Sequence, residues 1–355
     1  MNRRLGIISL ALLVAQLVDA QAPKPDPHAV VTVGTATAKR GQVATGVIAV
    51  PAGADSGTSI AVAVINGARP GPVLSILSGA HGTEYASIIA LEKLIPLVDP
   101  AKLSGTVIIV PLVNVPSFER KIAHVNPVDN KSMNRYYPGT MQGSQTERAS
   151  YMITKQIVEQ SDHLIDLHGG DLDENLRPYS YWTKTGNAVQ DSLSREMVLA
   201  FGLDYIIISA DRPKDPAASR YLENTASTRG KPSFTAEAGR AGRVDTDDVM
   251  ALVNGSLSVM AHLKMLADRP LRPVEHPVWI EKVVTVASEV NGIFYPVVDR
   301  GTYVNEGMKL GYITDYLGKT VMEARAPVAG VVLFIRAVPS MTKGETIANV
   351  GVPAK

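Results

Sequence analysis

Between about residue 70 and residue 270 the chain alternates two kinds of apolar pattern. Val73 to Leu77, after Pro72, is a short apolar run that predicts a buried strand. Ala86 to Val98 places its apolar residues at helical spacing and stops at Asp99-Pro100. Val107 to Val113 is β-branched and apolar, a second strand, and Tyr151 to Val158 reads as a helix. His163 to Leu167, Ile206 to Ile208 and Ser233 to Ala236 predict three more strands, and Val249 to Leu266 a long amphipathic helix. Strands alternating with helices point to an α/β fold: a mixed, mainly parallel sheet with helices on both faces.

The pattern changes at both ends. Pro270, Pro273 and Pro277 punctuate residues 270–277, and short β-rich runs with many glycines follow over 278–355. Gly307-Met-Lys-Leu-Gly-Tyr-Ile313 matches Gly344-Glu-Thr-Ile-Ala-Asn-Val350, and Gly292-Ile-Phe matches Gly330-Val-Val. Two similar halves predict a small, pseudo-symmetric all-β domain. At the other end, Arg3 and Arg4 precede an apolar run from Leu5 to Val18, then Val18-Asp19-Ala20 and Gln21. Basic, apolar and small-residue regions in that order read as a signal peptide over 1–20, with an uncleaved anchor as the alternative. Residues 21–44 are then a Pro-rich leader and a first strand, and 45–269 the main domain.

Composition narrows the chemistry. Apolar residues at 45% and charged residues at 19% suit a folded soluble domain. Lys+Arg at 35 against Asp+Glu at 34 gives no field that would recruit nucleic acid or acidic membrane. The chain has no cysteine, which excludes a thiol nucleophile and leaves His and carboxylates as the donors for any metal.

Four segments carry candidate chemistry. Ser78-Gly-Ala-His81-Gly-Thr-Glu84 joins a predicted strand to a predicted helix, and a tight turn can aim His81 and Glu84 at one point. Zinc accepts such N and O donors, although a His in this place also reads as a polar loop residue. Ile165-Asp166-Leu-His168-Gly-Gly170 ends another strand, with Asp166 on the face of His168, where it could orient a ligand or simply cap a core histidine. Asn134-Arg135-Tyr-Tyr-Pro-Gly139 offers a planar fork for a carboxylate, or a surface arginine before a turn. Thr235-Ala-Glu237-Ala-Gly239 ends a further strand in an acid that activates water or pairs with Arg240 or Arg243.

His81-Gly-Thr-Glu84, Asn134-Arg135-Tyr-Tyr-Pro-Gly139, Asp166-Leu-His168-Gly-Gly170 and Glu237-Ala-Gly239 occur in this order at compatible spacings. As a set they resemble the succinylglutamate desuccinylase/aspartoacylase family, a branch of the zinc metallocarboxypeptidases, over roughly residues 45–355. The segment from Asp171 to Tyr179 resembles a deacylase branch of that family more than its two namesakes. The resemblance implies one zinc per chain, held by His81, Glu84 and His168. It implies that Asn134 and Arg135 bind a substrate carboxylate, and that Glu237 is the general base and acid. The family commonly carries an arginine before the Asn-Arg pair that polarises the scissile carbonyl. Here Ala123 or His124 aligns with it, and Arg120 is the nearest basic residue for that catalytic role. The tail resembles biotinyl/lipoyl-like domains, with Lys319 eight residues before Pro327; its flanks, Gly318 and Thr320, are not the methionines of biotin acceptors.

The function implied is a secreted or periplasmic zinc-dependent deacylase that hydrolyses an amide or ester of a carboxylate-bearing substrate such as an N-acyl amino acid. A metallocarboxypeptidase or amidase acting on peptides, including cell-wall peptides, is the second reading, and a non-catalytic zinc-binding protein the third. The expected partner is a small molecule or peptide with a carboxylate, not nucleic acid, and not membrane once the signal is cleaved; a homo-oligomer stays open. Export with cleavage after Ala20 makes Gln21 the first residue of the mature chain, which N-terminal sequencing checks; a start at Met1 would overturn it.

Overall fold

The computed structural model describes residues 26–354 apart from 211 and 272. The expected signal peptide lies outside the described residues. A small ribbon opens the chain, β1 (Val30–Val33) and β2 (Ala36–Lys39). The main region follows as β3 (Gln42–Val50), β4 (Thr58–Asn66), β5 (Arg69–Ser78), α1 (Tyr85–Leu94), β6 (Ser104–Val110), α2 (Val115–Arg120) and α3 (Gln145–Gln156). It continues with β7 (His163–His168), β8 (Glu174–Thr183), α4 (Ala188–Phe201), β9 (Tyr205–Ser209), α5 (Leu222–Ser227), β10 (Ser233–Arg240) and α6 (Thr246–His262). The tail is all β: β11 (Val278–Ala287), β12 (Gly292–Pro296), β13 (Tyr303–Val304), β14 (Lys309–Thr314), β15 (Thr320–Arg325), β16 (Gly330–Arg336), β17 (Ser340–Met341) and β18 (Thr346–Pro353).

The solid apolar runs are strands covered on both faces. In β6, Val107 and Ile109 enter one core beneath α1, α4 and α6. Ile108 and Val110 enter a second core beneath α3, α5 and the β1–β2 ribbon. Residues of period 2 thus serve two cores, so no polar face interrupts the run. Local signals set the helix ends. Ser144 and Glu147 form a capping box, so α3 begins at Gln145, six residues before the expected start. Pro96 interrupts the helical pattern, so α1 stops at Leu94 and continues only as a 3-10 turn.

The sheet is mixed but not mainly parallel, which corrects the sequence expectation. Its twelve strands run β13-β16-β18-β11-β9-β8-β10-β7-β5-β6-β4-β3. Five pairings are parallel and seven antiparallel. The parallel pairs sit at the centre. Two features of the pattern hid the antiparallel ones. β3 and β4 form a hairpin at the edge of the sheet, and the exposed face of β3 carries Val43, Thr45, Val47 and Ala49, so no clean polar alternation marks it. β8, with Arg177, Pro178 and three aromatic residues, carries no clean alternation, yet it inserts antiparallel to β10 and parallel to β9.

The tail joins this sheet directly. β11 pairs parallel to β9, and β16 pairs both with β18 and back onto β8. The strands β8, β9, β11, β18 and β16 therefore close into a ring, filled by Tyr179, Tyr205, Ile207, Ile280, Val331 and Leu333. Within the tail, β12 pairs with β14 and β17, while β16 pairs with β18 and β13. Each half thus lends its short strand to the other, the arrangement its repeated sequence implies. Lys319 lies in the exposed β14–β15 turn.

The central strands β5, β7 and β10 end at one level. Leu77 pairs with Asp166, Ser78 with Leu167, and His168 with Glu237. Gly170 allows this convergence: a Cβ there would lie 2.6 Å from the Arg240 Cα and the Gly239 carbonyl oxygen. These neighbours are backbone and cannot rotate away. Gly170→Ala should lower the unfolding free energy by about 1–3 kcal/mol, as overpacking does; urea denaturation with an unchanged midpoint would count against this packing.

Candidate metal centre

The loop after β5 turns at Gly79, whose φ of +71° is open to glycine, and presents His81 before Glu84 caps α1. Glu84 is 3% exposed, and its two oxygens are divided between two histidines. Oε1 lies 2.6 Å from His81 Nδ1, and Oε2 lies 2.9 Å from His168 Nδ1. The Gly169 N–H also donates to Oε2 at 3.0 Å. One ligand atom from each of His81, Glu84 and His168 lies within 4.8 Å of the others, so the three converge from two strand ends.

The outer nitrogens are held as well. His81 Nε2 lies 3.3 Å from the Ser132 hydroxyl, and His168 Nε2 lies 3.0 Å from the Asn134 amide and 3.3 Å from Asp166 Oδ1. Asp166 is 1% exposed and has no conventional hydrogen bond of its own. A divalent cation taking the inner Nδ1 of His168 would leave the proton on Nε2, facing Asp166. That answers the buried carboxylate, so the donor set fits a metal. Burial works against the ionised form of Glu84, but the charges of His168 and His81 hold it down at about 2.

These residues floor a cavity of about 370 Å³. Glu237, on β10 beside His168, lines it. Burial pushes the Glu237 carboxyl well above the ordinary range, with Glu84, Glu174 and Asp166 adding repulsion and His168 opposing it. A group with a raised pKa beside a cation site can accept a proton from water and return it. Asn134 and Arg135 line the same cavity. Arg135 donates to the Asn134 carbonyl at 2.6 Å and lies 4.9 Å from the centre of the Tyr221 ring. A hollow of about 730 Å³ beside Phe201 and Gly255 is larger but holds no histidine.

Arg120 is not brought to this place: it ends α2 exposed and does not line the cavity. Arg212, Arg336 and Asn349 escaped the sequence reading. Arg212 lies 4.0 Å from the centre of the same Tyr221 ring and lines the cavity with Arg135. It follows a loop with no periodic signal. His124, Asp173 and Glu174 form a third wall, joined by Arg336 and Asn349 from the tail. The Asp173 hydrogen bond lifts His124 to about 9 against its burial, with Asp171 contributing. Burial and Glu84 lift Glu174 to about 7.

Comparison with known proteins agrees with this geometry. The model of the succinylglutamate desuccinylase/aspartoacylase catalytic domain matches residues 70–263. An N-alpha-acetyl-L-2,4-diaminobutyric acid deacetylase of Halomonas elongata is 28% identical over 283 residues, 78% of this chain and 81% of that protein. Two solved structures share the fold. A succinylglutamate desuccinylase from a Silicibacter species has a TM-score of 0.80 at 22% identity, over 93% of this chain and 100% of that one. The product-bound ectoine utilization protein EutE (DoeB) of Ruegeria pomeroyi has a TM-score of 0.79 at 24% identity, over 87% and 95%.

Two substitutions separate ligand from support. His168→Ala should remove most of the metal. Asp166→Asn should keep the ligands and weaken affinity roughly 10–100-fold. Metal titration followed by elemental analysis checks both; full occupancy in His168→Ala would refute the assignment.

Proposed function

The chain belongs to the succinylglutamate desuccinylase/aspartoacylase family, and on that premise we propose that it is a secreted zinc enzyme that removes the acyl group from an N-acyl amino acid. One observation carries the substrate class. Two guanidinium groups, Arg135 and Arg212, lie over the Tyr221 ring in the same cavity as the metal cluster and Glu237. Neither arginine has a carboxylate partner among the described ion pairs. A substrate carboxylate supplies one, and the planar forks suit it. The Halomonas relative is named for removing an acetyl group from an α-amino acid, which has that shape. Against a peptide substrate stands the wall from the tail: Phe334, Arg336, Thr346 and Asn349 bound a cavity of about 370 Å³, sized for a small molecule.

His81, Glu84 and His168 would hold the zinc, one per chain, with Asp166 fixing the His168 ring. Zinc bound there supplies a Lewis acid and lowers the pKa of water to ~7. The residues of the chain do the rest. Arg135, with Arg212, holds the carboxylate so that the acyl carbonyl lies over the cluster. Glu237 takes the proton of the attacking water and delivers it to the leaving nitrogen, so the amine departs neutral. The presence of this base beside the donor set speaks against a purely metal-binding role.

The zinc-loaded mature protein should release amine from N-acetyl or N-succinyl amino acids with a free carboxylate and spare their amides. Glu237→Gln should keep its metal and turn over at least roughly a hundredfold more slowly, the lower end of general-base effects. Product analysis beside metal content decides. Near-normal turnover in the variant removes Glu237 from the mechanism, and trimming of peptides with N-acyl amino acids untouched replaces the deacylase reading.

A further inference from the structure

We propose that a second cavity, which shares Arg212 with the metal cavity, binds a small oxyanion of the phosphate class and through that arginine weakens the hold on a substrate carboxylate. The site itself stands apart from the deacylase reading; its link to turnover rests on that reading. The cavity, of about 220 Å³, lies where the end of β8, the start of α4, the β9–α5 loop and the end of α5 meet. Sites for drug-sized ligands are larger, roughly 300–1,000 Å³. Three cations line it: Lys184 just after β8, and Arg212 and Lys214 in the β9–α5 loop. Its other walls are mostly hydroxyl and amide side chains, such as Thr185, Asn187 and Gln190, with no acid among the described residues that line it.

The three cations are uncommitted. None lies within ion-pair distance of a carboxylate among the described residues, and the Nε of Arg212 is buried without a hydrogen bond. Lys184 Nζ lies 5.1 Å from the centre of the Trp182 ring, a contact that leaves its charge in place. Two acids stand nearby, and neither is free to answer the cations. Asp191 accepts the Thr185 N–H and hydroxyl on Oδ1 and the Gly186 N–H on Oδ2. Glu223 of α5 is buried, and burial lifts its carboxyl to about 7 against the charge of Arg212, so it is a weak counter-charge. Like charges gathered in one hollow repel, and a bound anion removes that cost. The fourteen-residue helix α4 also turns its positive end this way, behind its cap at Asn187. A phosphoryl group carries about −1.5 to −2 near pH 7 and answers three cations better than the single charge of a carboxylate.

Arg212 ties this cavity to the metal cavity, because it lines both. A guanidinium has five N–H donors, and a carboxylate held bidentately takes two of them. An oxyanion on the remaining donors sets a second negative charge beside the first. Each anion then weakens the other by the same factor.

Calorimetry with inorganic phosphate on the zinc-loaded protein tests the site. Phosphate should bind the unaltered chain and, with similar affinity, Arg135→Ala, whose lost guanidinium lines the metal cavity but not this one. A double variant, Lys184→Ala with Lys214→Ala, should bind it roughly tenfold more weakly, the scale of a lost charged hydrogen bond. Both lysines are exposed, so without phosphate this variant should melt at the same temperature as the unaltered chain. Acetate should bind the site more weakly than phosphate. In turnover of an N-acyl amino acid, saturating phosphate should raise KM roughly fivefold at unchanged kcat, and the double variant should not respond. Unchanged phosphate affinity in the double variant overturns the site, and so does binding that vanishes in Arg135→Ala. Acetate bound as tightly as phosphate overturns the ligand class. A KM shift of the same size in the double variant overturns the link through Arg212. If no form turns over, the deacylase reading fails, and the calorimetry still decides the site.

Discussion

A carboxylate taken out of water must have its charge answered, and in this chain the buried carboxylate of Glu84 organises everything around it. Its two oxygens meet the inner nitrogens of His81 and His168 and the N–H of Gly169. These partners come from separate segments, so they can meet only if β5 and β7 end at the same level. The register that pairs Ser78 with Leu167 provides this. The next strand, β10, then has its own position fixed, and Glu237 falls beside His168. Glycine at 79, 169 and 170 lets the chain turn and approach without side chains in the way. The site is thus a consequence of strand register as much as of the residues that fill it.

The sequence revealed the parts whose two neighbours are both apolar. β5, β6 and β7 lie between two cores, and their unbroken apolar runs could be read directly. Residues near strand ends were legible for the same reason: His168 and Glu237 interrupt the apolar β7 and β10, and His81 follows the apolar β5, at positions where polarity needs an explanation. Strands with mixed surroundings were harder to see. In β8, Tyr179 and Tyr181 both pack into the ring and line the cavity while most of the strand's other residues are only part-buried, so its sequence shows neither period. Missing β8 also hid the antiparallel insertion that separates β9 from β10 and made the sheet appear mainly parallel. Arg212 and Arg336 were illegible for another reason. Each reaches the cavity from a remote segment, and a lone arginine carries no periodicity.

The tail illustrates how a repeat is legible while its consequence is not. The matched glycines and apolar residues of its halves announce two similar units, and the exchange of β13 and β17 between them follows. Nothing in that repeat says that β16 will pair with β8 or β11 with β9. Those pairings depend on open edges of the main sheet, since an unpaired edge leaves a row of donors and acceptors to be satisfied. β9 and β8 offer such edges, and the tail covers them while closing the apolar ring.

That closure bears on how the cavity selects its ligand. Two domains that merely touch can move apart, and a wall shared across such an interface is adjustable. Here Phe334 and Arg336 stand on β16, whose backbone is laddered to β8, the strand that begins at Glu174. Arg336 further reaches Asp173, just before that strand, and Asp173 holds His124. The part of the cavity lined by Phe334 and Arg336 is therefore continuous, by backbone ladder and ion pairs, with the segment that follows His168. A preformed enclosure of this kind pays little ordering cost on binding and discriminates by size and charge placement. In the deacylase proposed above, the anionic end of a substrate would be drawn to the arginines around Tyr221, and the wall built by the tail would limit what can extend beyond the scissile bond.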